Sequence, residues 1–342
     1  MSTAMAAQND LAARLQRVWY AGARPPWWTR ILAGMFAALS ALRRGLYRLG
    51  LLRIHGISLP VIVVGNIAVG GSGKTPFVMA LGEALRARGW RPGVVSRGYG
   101  RRLAGVVRVH GKSAADEVGD EPLLMAQRTG LPVAVASRRV EAARLLAQSG
   151  EVDVLIADDG LQHYALHRDL EIALIDGRRG LGNGRLLPAG PLRERAERLR
   201  RCDGVVGMLA APATPAVDWV CEGSMGDTSR LHDGVAGTLA AFRGRTIHAV
   251  AGIADPARFF DGLRQAGIDI IEHAYSDHHV YEASELASLR DATVLTTEKD
   301  AVKLGGLAGA DWWQVRWAVA VPDGLVELIH ARLLTMGSRS RG

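Results

Sequence analysis

Val61-Ile62-Val63-Val64-Gly65-Asn66-Ile67-Ala68-Val69-Gly70-Gly71-Ser72-Gly73-Lys74-Thr75-Pro76 decides how this chain is read. Its β-branched run at 61–64, stopped by Gly65-Asn66, predicts a strand buried on both faces. A helix is expected from about Thr75 to Arg88, closed by Gly89, and Pro76 is harmless in its first turn. Between them Ala68, Val69, Gly70, Gly71, Ser72, Gly73, Lys74 and Thr75 form a phosphate loop in the strand-loop-helix setting that the motif requires. Glycines let backbone N–H groups turn toward phosphate oxygens, Lys74 reaches the β and γ phosphates, and Thr75 can hold Mg²⁺. The generic pattern asks for Gly where Ala68 stands. Only four of the 42 basic residues are Lys, and one of them occupies the loop.

Downstream, Val152-Asp153-Val154-Leu155-Ile156-Ala157 predicts a second buried strand ending in Asp158-Asp159-Gly160. Acids at the C-terminal edge of such a sheet meet Mg²⁺ or its water. Two adjacent acids there can also divide the work, one facing the metal and one capping a following helix. Between the strands, Gly119-Asp120-Glu121-Pro122 precedes an apolar helix at 123–128, and Asp120 taken alone reads as its N-cap. Ser276-Asp277-His278-His279 follows a strand near 268–274. A His pair of this kind is more often structural than catalytic, and without Cys or a third ligand it makes a poor zinc site.

Farther out, composition bounds the class. With 342 residues and 48% hydrophobic content the chain can bury a large core, so two lobes are expected. Two cysteines give no disulfide framework, which suits a reducing cytosolic setting. The net charge of +8 is concentrated in residues 1–55, where eight Arg face one acid, Asp10; elsewhere 34 basic and 33 acidic side chains balance. The basic segment is also greasy: Trp27, Trp28 and Arg30 lead into the apolar run 31–42, followed by Arg43 and Arg44. That run spans only ~18 Å of a ~30 Å hydrocarbon layer, so a helix lying in one leaflet's interface is expected rather than a span. Each Arg near an anionic surface adds about 1 kcal/mol. The competing readings are a core helix with solvated Arg at its ends, or a signal peptide. The charges alternate with Leu, Ile and Trp instead of forming a polar stripe, which speaks against nucleic acid as a partner.

The chain resembles the tetraacyldisaccharide 4'-kinase family of lipid A biosynthesis. The resemblance rests on Gly65-Asn66 through Thr75-Pro76, Ser96-Arg97-Gly98-Tyr99-Gly100, Gly119-Asp120-Glu121-Pro122, Asp158-Asp159-Gly160-Leu161-Gln162-His163 and Pro188-Ala189-Gly190-Pro191-Leu192-Arg193-Glu194. Gly252-Ile253, Asp277-His278-His279 and Thr297-Glu298-Lys299-Asp300-Ala301-Val302-Lys303 complete it. It implies an ATP- and Mg²⁺-dependent kinase, peripheral or monotopic at the cytoplasmic leaflet of the bacterial inner membrane. The implied substrate is a lipid-linked glucosamine disaccharide 1-phosphate, phosphorylated on its 4'-hydroxyl to give lipid IVA. The resemblance also implies that Asp120 and His278, with Asp277 beside the His, form the base pair for the sugar hydroxyl. It places Asp159 and Glu194 near metal and phosphates, so that Thr75, Asp158, Asp159 and Glu194 make the candidate metal set and Lys74 the catalytic cation. Around Glu194, Arg193 and Arg195 suit a solvated helix start equally well. Tyr99, Arg97 and Arg101 either touch substrate phosphate or line a turn. No obligate protein partner is evident.

Strand-like runs near 61, 93, 132, 152, 171 and 204 alternate with helical segments and predict an α/β architecture: a parallel, phosphate-loop NTPase-like sheet lobe. The expected division is a membrane-associated helix in 1–55, a nucleotide-binding lobe in 56–215, and in 216–342 a linker with a short hairpin leading to a smaller α/β lobe. Strands near 246, 268, 293 and 315 and a helix at 324–337 build the last, and a meeting of Asp120 with His278 would put the site between lobes. The rival reading is a peripheral membrane ATPase or a GTPase of regulatory or metal-insertion type. Guanine-specific members need Asn-Lys-x-Asp, whereas Lys299 is followed at once by Asp300.

Overall fold

The computed structural model describes residues 14–339. They fall into two compact units: one holds the chain up to Lys74, Ile156–Glu222 and the chain from Pro322, the other Thr75–Leu155 and Gly223–Val321. Asp120, Asp277 and His278 belong to the same unit.

In the first unit the strand Val61–Gly65 pairs in parallel with Leu170–Asp176, from Ile62 against Leu170 to Gly65 against Ala173. Leu170–Asp176 pairs in parallel with Gly204–Met208, which in turn takes Trp219–Cys221 alongside. All five residues of Val61–Gly65 and of Gly204–Met208 are buried, as strands covered on both faces must be.

The same unit contains the helix Trp27–Arg48. It runs ten residues beyond the apolar stretch from which it was read, and the core-helix alternative is overturned by its exposure. Only Thr29 and Ala33 are buried, whereas Trp27, Ile31, Met35, Leu39 and Leu42 are 57–74% exposed. Small residues face inward because close packing leaves no room for more, and the large apolar side chains form a stripe on the outer face at helical spacing. Among the described residues no helix is long and apolar enough to cross a membrane.

In the second unit Pro92–Ser96 pairs in parallel with Val133–Val135, and Val107–Val109 adds an antiparallel edge. A further parallel set puts Thr246–Ala251 between Asp269–Ala274 and Val294–Thr297, with Trp312–Ala320 next to the last. Phe242, Ile247, Phe259, Phe260 and Leu263 pack one face of that set; Val250, Tyr281, Leu286, Leu304 and Trp312 pack the other.

The stretch after Pro215, expected as a linker with a short hairpin, carries the 12-residue strand Trp219–Arg230, whose end forms an antiparallel hairpin with Ala236–Gly237. Gly223, Gly226, Asp227 and Ser229 have poor strand propensity, and the strand is made by its neighbours: Val206–Met208 on its first residues and Ala236–Gly237 on its last.

Candidate active site

The phosphate loop leaves its strand at Gly65 and enters the helix Lys74–Ala87. Gly70 and Gly73 take φ of 116° and 73°, which turn the backbone back on itself. The loop is held from outside: Val69 N–H donates to Pro191 O at 2.9 Å and Arg193 N–H to Ile67 O at 2.6 Å. From inside, Asn66 Nδ2 donates to Ser72 Oγ at 2.9 Å, with Asn66 and Ser72 both buried. Lys74 Nζ stands 3.7 Å from Asp159 Oδ1, and Arg193 Nη1 lies 3.0 and 3.1 Å from the two Asp159 oxygens. Thr75 follows Lys74 in the first helical turn.

Asp158 is buried at the end of the strand Val154–Asp158, and Asp159 leaves it at φ 47°. No helix follows, so the helix-cap role read for one of these acids is replaced by a turn that aims Asp159 at Lys74 and Arg193. Arg193, which suited a solvated helix start, is a partner of that carboxylate. Glu194, 3% exposed, turns the other way: Gln162 Nε2 donates to Oε1 at 2.9 Å and Tyr164 Oη to Oε2 at 2.5 Å. Burial, then the bond to Glu194, pushes the Tyr164 phenol up to about 12, so it remains a donor.

In the second unit His278 Nδ1 lies 3.1 Å from Asp120 Oδ2. Asp120 is the first residue of the helix Asp120–Thr129; Gly119 is its N-cap, so the N-cap role expected of Asp120 is not what its side chain does. Gly119 has φ 96°, and a Cβ there would sit 3.1 Å from Tyr99 O and 3.3 Å from Gly98 Cα. This close backbone approach carries Tyr99 to the site, where its ring lies 5.1 Å from that of His278. Arg101 lines the turn, donating to Gly105 O at 2.6 Å. The two histidines divide: His278 faces Asp120, while His279 is bonded to Glu285 at 2.9 Å and packed among Tyr275 and Tyr281.

Sequence reasoning quoted Lys299 in a motif but gave it no role in the site. Its Nζ is 3.0 Å from Asp277 Oδ1, 3.0 Å from Glu121 Oε1 and 3.5 Å from His278 Nε2. Burial opposes its charge, but Glu121 and Asp277 more than offset that and hold the ammonium well above the usual lysine range. The signal that could have found it is the scarcity of lysine already noted at Lys74. An ammonium cannot accept a hydrogen bond, so His278 Nε2 is the acceptor and Nδ1 carries the proton donated to Asp120.

Among the described residues no group of three or more His, Cys, Asp or Glu is arranged to hold a metal ion. The oxygen donors beside the loop suit Mg²⁺ held jointly by protein and nucleotide. Asn66 Oδ1, buried and without a hydrogen-bond partner, is an acceptor suited to a metal-bound water.

Residues 26–334 match the family described as tetraacyldisaccharide-1-P 4'-kinase, LpxK. The chain belongs to this kinase family. It is 47% identical to the tetraacyldisaccharide 4'-kinase of Stenotrophomonas maltophilia over 86% of this chain and 89% of that one. The enzyme of the same name from Xanthomonas axonopodis pv. citri is 46% identical, with coverage of 94% and 96%. The fold matches a crystal structure of the "apo" form of LpxK from Aquifex aeolicus in complex with ATP, at a TM-score of 0.76 and 31% identity, covering 88% of this chain and 97% of that one.

Proposed function

We infer that this chain transfers the γ-phosphate of ATP to the 4'-hydroxyl of a tetraacyl glucosamine disaccharide 1-phosphate, giving lipid IVA in lipid A biosynthesis. The observation that carries the chemistry is the 3.1 Å contact between His278 Nδ1 and Asp120 Oδ2 in a chain of this family. A sugar hydroxyl is a poor nucleophile until its proton has a destination. His278, donating through Nδ1, orients the Asp120 carboxylate and stabilises its charge, and Asp120 receives the hydroxyl proton as the new O–P bond forms and the bond to the departing ADP oxygen breaks.

Lys74 and the loop N–H groups stabilise negative charge on the transferring phosphoryl oxygens. Thr75 and Asp159, with Asp158 behind, would hold Mg²⁺ or its waters, and that ion neutralises phosphate charge when bound. Glu194 serves there indirectly, its buried carboxylate fixing Gln162 and Tyr164. The reaction meets its lipid acceptor at the cytoplasmic leaflet of the inner membrane, with the stripe Trp27, Ile31, Met35, Leu39 and Leu42 in the interface. A cavity of about 620 Å³ beside that helix, lined by Trp27, Arg30, Ile31, Arg185, Leu186 and Arg195, joins apolar and cationic surface as a phosphorylated glycolipid requires.

Label from [γ-³²P]ATP is expected in the chloroform-soluble glycolipid when purified disaccharide acceptor is supplied. Label recovered only as free phosphate would overturn this reading in favour of an ATPase.

A further inference from the structure

We propose that Lys299 is a positioning residue for phosphoryl transfer: it clamps the turn carrying His278 to the start of the helix carrying Asp120. The proposal rests on reading Asp120 and His278 as the base pair.

One ammonium touches the chain neighbours of both members of the pair. Glu121, 3.0 Å from Nζ, adjoins Asp120; Asp277, also 3.0 Å away, adjoins His278 and accepts its backbone N–H at 3.1 Å. His278 holds φ 58°, a backbone conformation that a non-glycine residue keeps only where its surroundings over-determine it. Asp120, Asp277, Lys299 and the Tyr99 ring are the groups that face it.

The element bearing Lys299 is rigidly seated. The helix Glu298–Leu304 is capped by Thr297, whose Oγ1 accepts from Asp300 N–H. Asp300, fully buried, accepts from Gly252 N–H at 3.0 Å, Tyr281 Oη at 3.0 Å and Thr297 Oγ1 at 2.6 Å, and pairs with Lys303 at 2.7 Å. Glu298 accepts from Arg128, in the last turn of the helix Asp120–Thr129, and from Trp317 N–H at 3.0 Å. Two consecutive residues, Glu298 and Lys299, therefore grip the two ends of the helix that begins at Asp120. A compact ammonium with three rotatable donors can serve two carboxylates and an imidazole at once.

The test uses the full-length protein with ATP and purified disaccharide acceptor, and a double-mutant cycle of Lys299→Met with His278→Ala, with Lys299→Arg as the conservative variant. Small displacements of reacting groups cost up to about 100-fold in rate. Lys299→Met is expected to lower kcat roughly 10- to 100-fold with the KM for ATP unchanged. Lys299→Arg should recover part of that loss. In the His278→Ala background Lys299→Met should cost nothing further, because the group it positions is gone. Losses that multiply in the double variant, or an unchanged kcat in Lys299→Met beside a crippled His278→Ala, overturn the clamp and leave the base pair standing. Wild-type turnover in His278→Ala overturns the base pair itself, and the clamp with it. Should Lys299→Met fail to fold, Glu121→Gln with Asp277→Asn removes the same contact from side chains that are 34% and 35% exposed. The same fall in kcat is expected, and wild-type kcat refutes the clamp.

Discussion

The phosphate loop and the Asp120–His278 pair, the two parts of the proposed site, are built in opposite ways. The loop is one continuous stretch, residues 68–75, and the role proposed for it falls to its backbone. The pair joins residues 158 positions apart and depends on side chains held by a third element. Anion binding by backbone N–H groups needs only a local sequence of glycines ahead of a helix, so it is encoded where it acts. An acid–base pair needs two side chains brought within hydrogen-bond reach, which no local pattern can specify.

That contrast can be broken at several levels. Lys74→Ala should have the largest effect, a fall in label transfer of roughly 10³-fold or more, since it removes a cation from the transferring phosphoryl group. Asp120→Ala or His278→Ala should each lower kcat by ~10²- to 10⁴-fold while ATP analogue binding, followed by calorimetry, stays intact. Lost nucleotide binding in those variants would mean that the two regions are not separate in function. Next, Gly119→Ala is expected to destabilise the chain by about 1–3 kcal/mol in urea unfolding, because an alanine must hold φ 96° against Tyr99 O. The smallest effect is electrostatic. Because Lys299 is held above its ordinary pKa, its ion pairs contribute fully at neutral pH and lose their contribution only as pH rises through the elevated value. Unfolding free energies of wild type and Lys299→Met should thus differ by about 1 kcal/mol at pH 7 and converge only above the usual lysine range. Convergence already near pH 8 would show that the ammonium is not held by Glu121 and Asp277.

At the outer face of the first unit, replacing Met35 and Leu39 by Glu should weaken sedimentation with anionic vesicles several-fold, since both side chains are exposed and apolar. Undiminished co-sedimentation would remove the helix Trp27–Arg48 from membrane binding.

Much of the fold was legible because buried parallel strands write themselves as β-branched runs: Val61–Gly65, Val154–Asp158 and Leu170–Asp176 stand where those runs are. Trp219–Arg230 was not, because its pairing is imposed by neighbouring strands on glycine and polar residues that favour a loop. Local rules also misread Asp120 as a cap and allowed a cap among Asp158-Asp159, since a short acidic side chain near a helix start has the same signature whether it serves its own backbone or a distant partner.

The order of residues alone determined the anion-binding loop, the buried strands around it and the amphipathic character of Trp27–Arg48, because each follows from spacing within a few turns of chain. Only the tertiary structure decided which acid faces Lys74, that His279 bonds Glu285, and that Lys299 touches Glu121 and Asp277 together. Those choices rest on contacts between segments far apart in the chain, where packing brings charges together that sequence spacing leaves unrelated.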